Sequence, residues 1–336
     1  MKRCIVIAGG NGFLGRVLTA DFLSQKDEVI VLTRSPQMQG LGAKEIAWDG
    51  KTPGDWVKFL DGTDVLINLA GRSVDCRYHD RNRRLIFNSR VDSTRALGEA
   101  IKRCARPPAV WLNASTATIY NHSFDRPMDE HGEIAATPEA KDEFSVAVAQ
   151  AWERTLNEAD TPETRKIAMR MAMVLGNTGG VFPMLCRLVR CGLGGRMADG
   201  NQFVSWIHER DLCRAIQWLI GRNDICGAVN LAAPNPIPNR EMMRILRKVC
   251  GRPFGLPATA WMLEVGAFLL RTETELVIKS RRVVPGRLLK SGFEFTFPTI
   301  EAAFRDIHRR SKQNPDHELP ADKVHAARTE SVNTAE

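Results

Sequence analysis

The first part of the chain alternates short unbroken apolar runs with amphipathic stretches. Cys4–Ala8 (CIVIA), Val29–Thr33 (VIVLT), a short run ending near Trp48, Val65–Ala70 (VLINLA) and Ala109–Ala114 (AVWLNA) have strand length and are flanked by turn residues. Between the first two, Gly12 to about Ser24 sets Phe13, Leu14, Val17, Leu18 and Phe22 at helical spacing. Longer helices are predicted over roughly Arg81–Cys104 and Phe144–Ala159, followed by a strand over Ile167–Leu175. A helix over 211–221 and a strand over Ala228–Ala232 resume the pattern later. Strands apolar on both faces and separated by helices predict an α/β protein with a doubly wound parallel sheet.

After Gly176 the texture changes, with Gly, Pro, Arg and Met frequent in GNTGGVFPM and RCGLGGRMADG. The chain from Pro234 to about Arg310 reads as a second small unit, and Ala258–Leu270, short and carrying Glu264, as a buried helix. From Ser311 onward the residues are polar and the segment is expected to be disordered.

Residues 4–15 read CIVIAGGNGFLG, an apolar strand running into a glycine-rich turn that opens an amphipathic helix. In that context the glycines allow backbone N–H groups to approach a pyrophosphate at a helix N-terminus. The turn parses either as Gly10-x-Gly12-x-x-Gly15 or as Gly9-x-x-Gly12-x-x-Gly15. The end of the second strand decides which dinucleotide is expected. NAD sites place Asp or Glu there for the ribose 2′-hydroxyl, whereas this strand ends VLTRS, with Arg34 and Ser35. A guanidinium pairs with a 2′-phosphate, so NADP(H) is the expected cofactor. Asp49, after the third strand, is a candidate acceptor for the adenine amino group.

Bulk composition narrows the partners. The 336 residues are 43% hydrophobic, with no apolar run of the roughly 18–20 residues that span a bilayer. Met-Lys-Arg leads directly into a strand with no signal-like apolar region, and eight cysteines are scattered without a CxxC pair. Reduced thiols, a cytoplasmic location and no metal site are therefore expected. The net charge of +8 favours an anionic partner, and much of the excess lies in Arg72–Arg106. That region reads as a solvated basic face or as the wall of a site for a small anionic, phosphate-bearing substrate; no nucleic-acid-binding motif is present. Oligomeric state is left open.

Further segments carry a resemblance. VLINLAG (65–71), NASTATIY (113–120), FSVAVAQAWE (144–153), RMAMVLGNTGGVFPM (170–184), ADGNQFVSWIHERDLCRAI (198–216) and VVPGRLLKSGFEFTFPTIEAAF (283–304) occur in this order. Together with the glycine turn they resemble the extended short-chain dehydrogenase/reductases, in the Gly9/Gly12/Gly15 register. They are most similar to the atypical branch labelled epimerase family proteins, or SulA-like nucleoside-diphosphate-sugar epimerases. That branch carries a C-terminal domain of unknown function, matched here by about 240–306. The resemblance implies a Rossmann domain over 1–176, completed by about 207–233, and a small substrate domain from 177–206 and 234–310. It implies that Gly9, Gly12, Phe13, Leu14 and Gly15 line the pyrophosphate and that Arg34 meets the 2′-phosphate. Leu69, Ala70 and Gly71 would lie against ribose, and Val174 and Leu175 near the nicotinamide. Thr116 would hold a substrate oxygen, with Gln202, Trp206 and His208 facing the cleft.

The superfamily's hydride chemistry uses a Tyr-x-x-x-Lys pair, in which the lysine lowers the phenol pKa. Aligned through Trp152 and Glu153, those positions hold Ser145 and Ala149, and Arg90 stands where an Asn usually completes the relay. Only two tyrosines exist: Tyr120 matches a packing residue, and Tyr78 lies in the basic CRYHDRNRR stretch. Two readings stay open. One is an NADP(H)-dependent oxidoreductase or epimerase, with proton transfer by Tyr78, His79, His208 or water. The other is an NADPH-binding regulatory or scaffold protein without turnover.

Overall fold

The computed structural model describes residues 2–36, 40, 42–259 and 278–313. The strands are β1 (Cys4–Ala8), β2 (Glu28–Thr33), β3 (Lys44–Ala47), β4 (Val65–Asn68), β5 (Val110–Thr116), β6 (Arg165–Met171), β7 (Met173–Leu175), β8 (Phe203–Val204), β9 (Trp206–His208), β10 (Gly227–Leu231) and β11 (Ile237–Pro238). The helices are α1 (Phe13–Ser24), α2 (Asp80–Ile101), α3 (Glu143–Glu158), α4 (Phe182–Arg190), α5 (Glu209–Gly221), α6 (Asn239–Val249), α7 (Gly286–Lys290) and α8 (Ile300–Gln313).

Seven parallel strands form one sheet in the order β10-β6-β5-β4-β1-β2-β3. The order reverses between β1 and β4, so a crevice opens there at the carboxyl ends of the strands. Alternation along β1 builds both faces. Ile5 and Ile7 pack with Leu18 and Phe22 of α1 and with Leu212, Ile216 and Leu219 of α5. Val6 and Ala8 point the other way, toward Leu97 and Ile101 of α2 and Leu156 of α3. Leu18 and Phe22 are fully buried, each contributing about 1.5–3 kcal/mol. The expected doubly wound sheet is therefore present, with boundaries shifted by a few residues.

The single strand expected over Ile167–Leu175 is two. At Ala172 the backbone N–H turns to Leu231 O, and Met173 N donates to Ser205 O. The chain thus leaves the large sheet, and β7 pairs with β9 instead. A second apolar core lies between α4, α6 and α8, around Phe182, Leu185, Met243, Leu246, Phe304 and Ile307. The segment 279–285, with no strand periodicity, threads between the 121–130 loop and β8–β9. Ser280 N donates to His122 Nδ1 at 2.9 Å and Ser280 Oγ to Ser123 O at 2.6 Å, while Val283 N donates to Ser205 Oγ at 2.7 Å. The polar tail expected from Ser311 begins later, because Ser311 to Gln313 complete α8; residues 314–336 lie outside the described residues. So does the expected helix over Ala258–Leu270 from residue 260 onward. No helix among the described residues is long and apolar enough to cross a membrane.

Candidate cofactor site

The glycine turn sits where the sheet order reverses, and each glycine meets a different neighbour. Gly9 has φ +76, and a Cβ there would lie 2.7 Å from the Ala70 Cα, so the turn after β1 rests directly on the chain leaving β4. A Cβ on Gly10 would meet Val31 Cγ1 at 2.6 Å, and one on Gly15 the Gly10 carbonyl oxygen at 2.2 Å. Gly10 is thus clamped between β2 and α1 and belongs to the turn's packing. Gly12 differs: the nearest atom to its hypothetical Cβ is Gly9 O at 3.9 Å. Gly12 is also the N-cap of α1, without a side-chain cap and with no acidic residue in the first turn. The helix therefore presents uncapped N–H groups and the positive end of its dipole to open space, an arrangement suited to an anion.

The wall toward β2 supplies a cation. Arg34 is exposed and makes no hydrogen bond or ion pair among the described residues. Asn11 ties the glycine turn to this wall by donating to Ser35 O at 2.9 Å, while its own Oδ1 is buried without a partner among the described residues. Asp49, placed by sequence near an adenine, accepts from the backbone N–H groups of Lys51 and Thr52 at 2.8 and 2.9 Å and from Thr52 Oγ1 at 2.7 Å. These bonds hold its carboxyl below the usual range against the opposing effect of burial. Its carboxylate is engaged in its own turn, which fixes the loop after β3. On the other lip, Leu69 N donates to Ala8 O and Ala70 N to Asn68 Oδ1, placing Leu69, Ala70 and Gly71 beside the glycine turn.

Further along the strand ends, Thr116 closes β5 half-buried, and its Oγ1 accepts from Thr118 N at 3.1 Å. Arg281, from the threaded segment, donates to Thr118 Oγ1 at 3.2 Å. Ser145 is half-buried on the first turn of α3, whereas Ala149 is fully buried in a small core with Ile119 and Tyr120. The Tyr78 ring meets Phe144, the residue before Ser145, edge-on at 5.2 Å. Arg90 stacks over Trp152 at 5.1 Å, and burial lowers its guanidinium to about 10 against the pull of Tyr78 and Cys76. The structure thus brings a tyrosine and a cation to the wall beside α3. Val174 is half-buried on β7; the Leu175 side chain is fully buried in the second core, and its backbone pairs with His208 of β9 and bridges to Gly180.

Three residues expected in the cleft belong to the interior. Gln202 is buried and donates to Met197 O, and the buried Trp206 donates its indole N–H to Asn235 O. His208 is fully buried at the N-cap of α5, where Nδ1 accepts from Arg210 N at 3.0 Å. Its Nε2 faces Asp306 at 3.2 Å and Arg310 at 3.3 Å, and the ring stacks on Phe297. With both nitrogens occupied and no exposure, His208 is a joint between β9, α5 and α8 rather than a proton donor to substrate. Burial, reinforced by Arg310 and opposed by Asp306, lowers it to about 4. The unfolded chain takes up this proton near pH 6.5 and the folded one only near 4, so the stability due to neutral His208 is present above 6.5 and lost as pH falls toward 4. The expected loss is roughly 2–3 kcal/mol. Urea melts at pH 7 and pH 4.5 test this: His208→Gln should remove most of the difference attributable to this residue, and an unchanged difference would refute it.

Two features had no sequence signal. Arg170 makes a bidentate pair with Glu153 (2.8 and 2.7 Å), whose carboxylate also accepts from Ser115 Oγ at 2.6 Å. Arg170 continues to Tyr120 Oη at 2.8 Å, and Tyr120 to Asn230 at 2.8 Å. Burial raises the Tyr120 phenol, in keeping with its expected packing role. The second is a collar around Phe13: methyl groups placed on Gly176, Gly179 and Gly180 would come within 2.3, 2.6 and 3.1 Å of its ring.

A family model described as NAD dependent epimerase/dehydratase family matches residues 5–232. The chain belongs to that family. A second model, a domain of unknown function (DUF1731), matches residues 258–307 of this epimerase-family chain. The chain is 28% identical over 307 residues to the epimerase family protein SDR39U1 of Bos taurus, covering 90% of this chain and 99% of the relative. It is also 28% identical over 306 residues to the epimerase family protein YfhF of Bacillus subtilis, covering 90% and 97%. The crystal structure of human epimerase family protein SDR39U1 (isoform2) with NADPH superposes with a TM-score of 0.80 at 26% identity, covering 91% of this chain and 99% of that one.

Proposed function

We propose that this chain is an NADP(H)-binding epimerase-family protein in which the turn Gly9–Gly15 receives the pyrophosphate and Arg34, with Ser35, the 2′-phosphate. The observation that carries this is the pairing of open space at Gly12, over an uncapped helix N-terminus, with an unengaged Arg34 on the same crevice. The human relative crystallised with NADPH supports it. In this reading Phe13 and Leu14 give their backbone N–H groups to phosphate, and Leu69, Ala70 and Gly71 flank the ribose. Asp49 borders the adenine, and Val174 with the Leu175 backbone borders the nicotinamide. Residues 1–176 with 207–233 hold the cofactor, and 177–206 with 234–310 form a small substrate domain. Removing a charged hydrogen-bonding group costs roughly 1.5–3 kcal/mol, so Arg34→Ala weakens NADPH binding about 10- to 100-fold and leaves NADH binding unchanged. Calorimetric titration of both cofactors checks it; equal wild-type affinities for the two would sink the assignment.

The reading extends to a small anionic substrate placed between the ends of β5 and α3. NADP(H) held in the crevice would supply hydride-transfer chemistry there. Thr116 holds a substrate oxygen, Arg281 beside it favours negative charge, and Tyr78 exchanges the proton, with Arg90 on the same wall. This supports an oxidoreductase or epimerase that uses a Tyr–Arg pair in place of Tyr-x-x-x-Lys. The buried Ala149 favours the second reading, a protein that holds NADPH without turnover. A panel of carbonyl and nucleotide-sugar substrates distinguishes them. Turnover that drops about 10²–10⁴-fold in Tyr78→Phe, with NADPH affinity retained, supports the enzyme. No cofactor oxidation by any substrate, with NADPH tightly held, supports the silent binder.

A further inference from the structure

Away from the crevice, three side chains from distant parts of the sequence converge on the helical layer of the second core. Cys186 lies on α4, Cys250 is the C-cap of α6 and His308 lies on α8. Their ligand atoms, two sulfurs and one imidazole nitrogen, all lie within 4.8 Å of one another. The Cys250 thiol donates to the Cys186 sulfur at 3.9 Å. His308 Nδ1 is buried with no hydrogen-bond partner among the described residues, and leaving such a group unsatisfied costs about 1–3 kcal/mol.

We propose that Cys186, Cys250 and His308 form a metal site for a thiophilic cation of the zinc(II) class, linking α4, α6 and α8. The sulfur separation argues for a metal over a disulfide. Zinc–thiolate bonds of about 2.3 Å at tetrahedral angles put two sulfurs roughly 3.8 Å apart, close to the distance found. A disulfide bond is about 2.05 Å long, so the 3.9 Å separation is that of two unlinked sulfurs. The donor set also fits: two soft thiolates and one imidazole suit zinc(II), and three protein ligands leave a fourth position for water.

Charge is consistent. Arg190 on α4, Arg252 after α6 and Lys312 on α8 surround Cys250; Arg190 and Lys312 also face His308. Thiolate and neutral imidazole are the ligating forms. Two thiolates would balance the cation without a carboxylate. The expectation of no metal site, drawn from scattered cysteines, is revised here because the three ligands come from separate helices and make no local motif.

The test uses the full chain, reduced and stripped of metal with a chelator. Cobalt(II) should bind at one equivalent and give a thiolate-to-cobalt charge-transfer band with intense tetrahedral visible bands. Zinc(II) should displace it and raise the melting temperature. Cys250→Ser and His308→Gln, each confirmed folded by circular dichroism, should lose the charge-transfer band or its tetrahedral visible pattern and the zinc-dependent rise. Cys191→Ser, removing an exposed thiol outside the cluster, should keep both. Absence of the cobalt spectrum in the wild-type chain overturns the proposal, as does full binding by the two variants. A Cys186–Cys250 disulfide found by mass spectrometry as the form that survives reduction would overturn it too.

Discussion

Gly12→Val should fold with the wild-type melting temperature yet bind NADPH at least about 100-fold more weakly, roughly 2.7 kcal/mol. Gly12 has φ −70 and ψ 171, an extended conformation that valine adopts readily, and among the described residues beyond its chain neighbours no atom lies closer than 3.9 Å to its hypothetical Cβ. The branched side chain would instead occupy the space that a pyrophosphate needs beside the first N–H groups of α1. Gly9→Val supplies the contrast. Its φ of +76 and the 2.7 Å approach to the Ala70 backbone make it a folding defect, costing about 2–5 kcal/mol from strain and overpacking together. Thermal melts and calorimetric titration of both variants decide the matter. NADPH affinity within about three-fold of wild type in Gly12→Val would move the phosphate site elsewhere.

Arg170→Met should lose about 3–5 kcal/mol of stability, because Glu153 would be left charged and alone in the interior. The carboxylate now shares two bonds with Arg170 and one with Ser115, and the guanidinium also holds Tyr120. Arg170 is 5% exposed and Glu153 9%, so water cannot replace the lost partner. Removing both charges, in Glu153→Met/Arg170→Met, should cost less than the single change. Denaturant melts of the three proteins form the comparison. A single variant within about 1 kcal/mol of wild type would show that the pair is solvated or replaceable.

The parts of this molecule legible in its sequence are those governed by local rules. Apolar runs marked the strands because both sheet faces are covered, and the glycine turn is a local motif, although its Gly9/Gly12/Gly15 register came only with the later segments that carry the resemblance. Arg34 was legible because it lies one residue beyond β2. Legibility failed where polar groups pair across the fold. His208 was expected in a cleft, although Glu209 and Asp211 behind it mark a helix start; its burial comes from packing between β9, α5 and α8, which no local pattern reports. Glu153 reaches Arg170 through tertiary packing, and segment 279–285 is held by hydrogen bonds to His122 and Ser205, a bridge between Met128 and Val283 and an ion pair of Lys279 with Asp142, all more than 70 residues away. Periodicity reports which face is buried; it carries no information about which distant partner waits there.

Phe13 is held by Gly176, Gly179 and Gly180, residues the chain reaches more than 160 positions later. A fragment ending after α3 would expose this ring at the mouth of the glycine turn and leave its first helical N–H groups unsupported. The first half of the sheet is therefore not an autonomous nucleotide-holding module that later segments merely decorate. During synthesis the turn can be drawn early but reaches its working shape only once the strand-ending glycines have emerged. Cofactor affinity should accordingly serve as a readout of whether the whole sheet has closed.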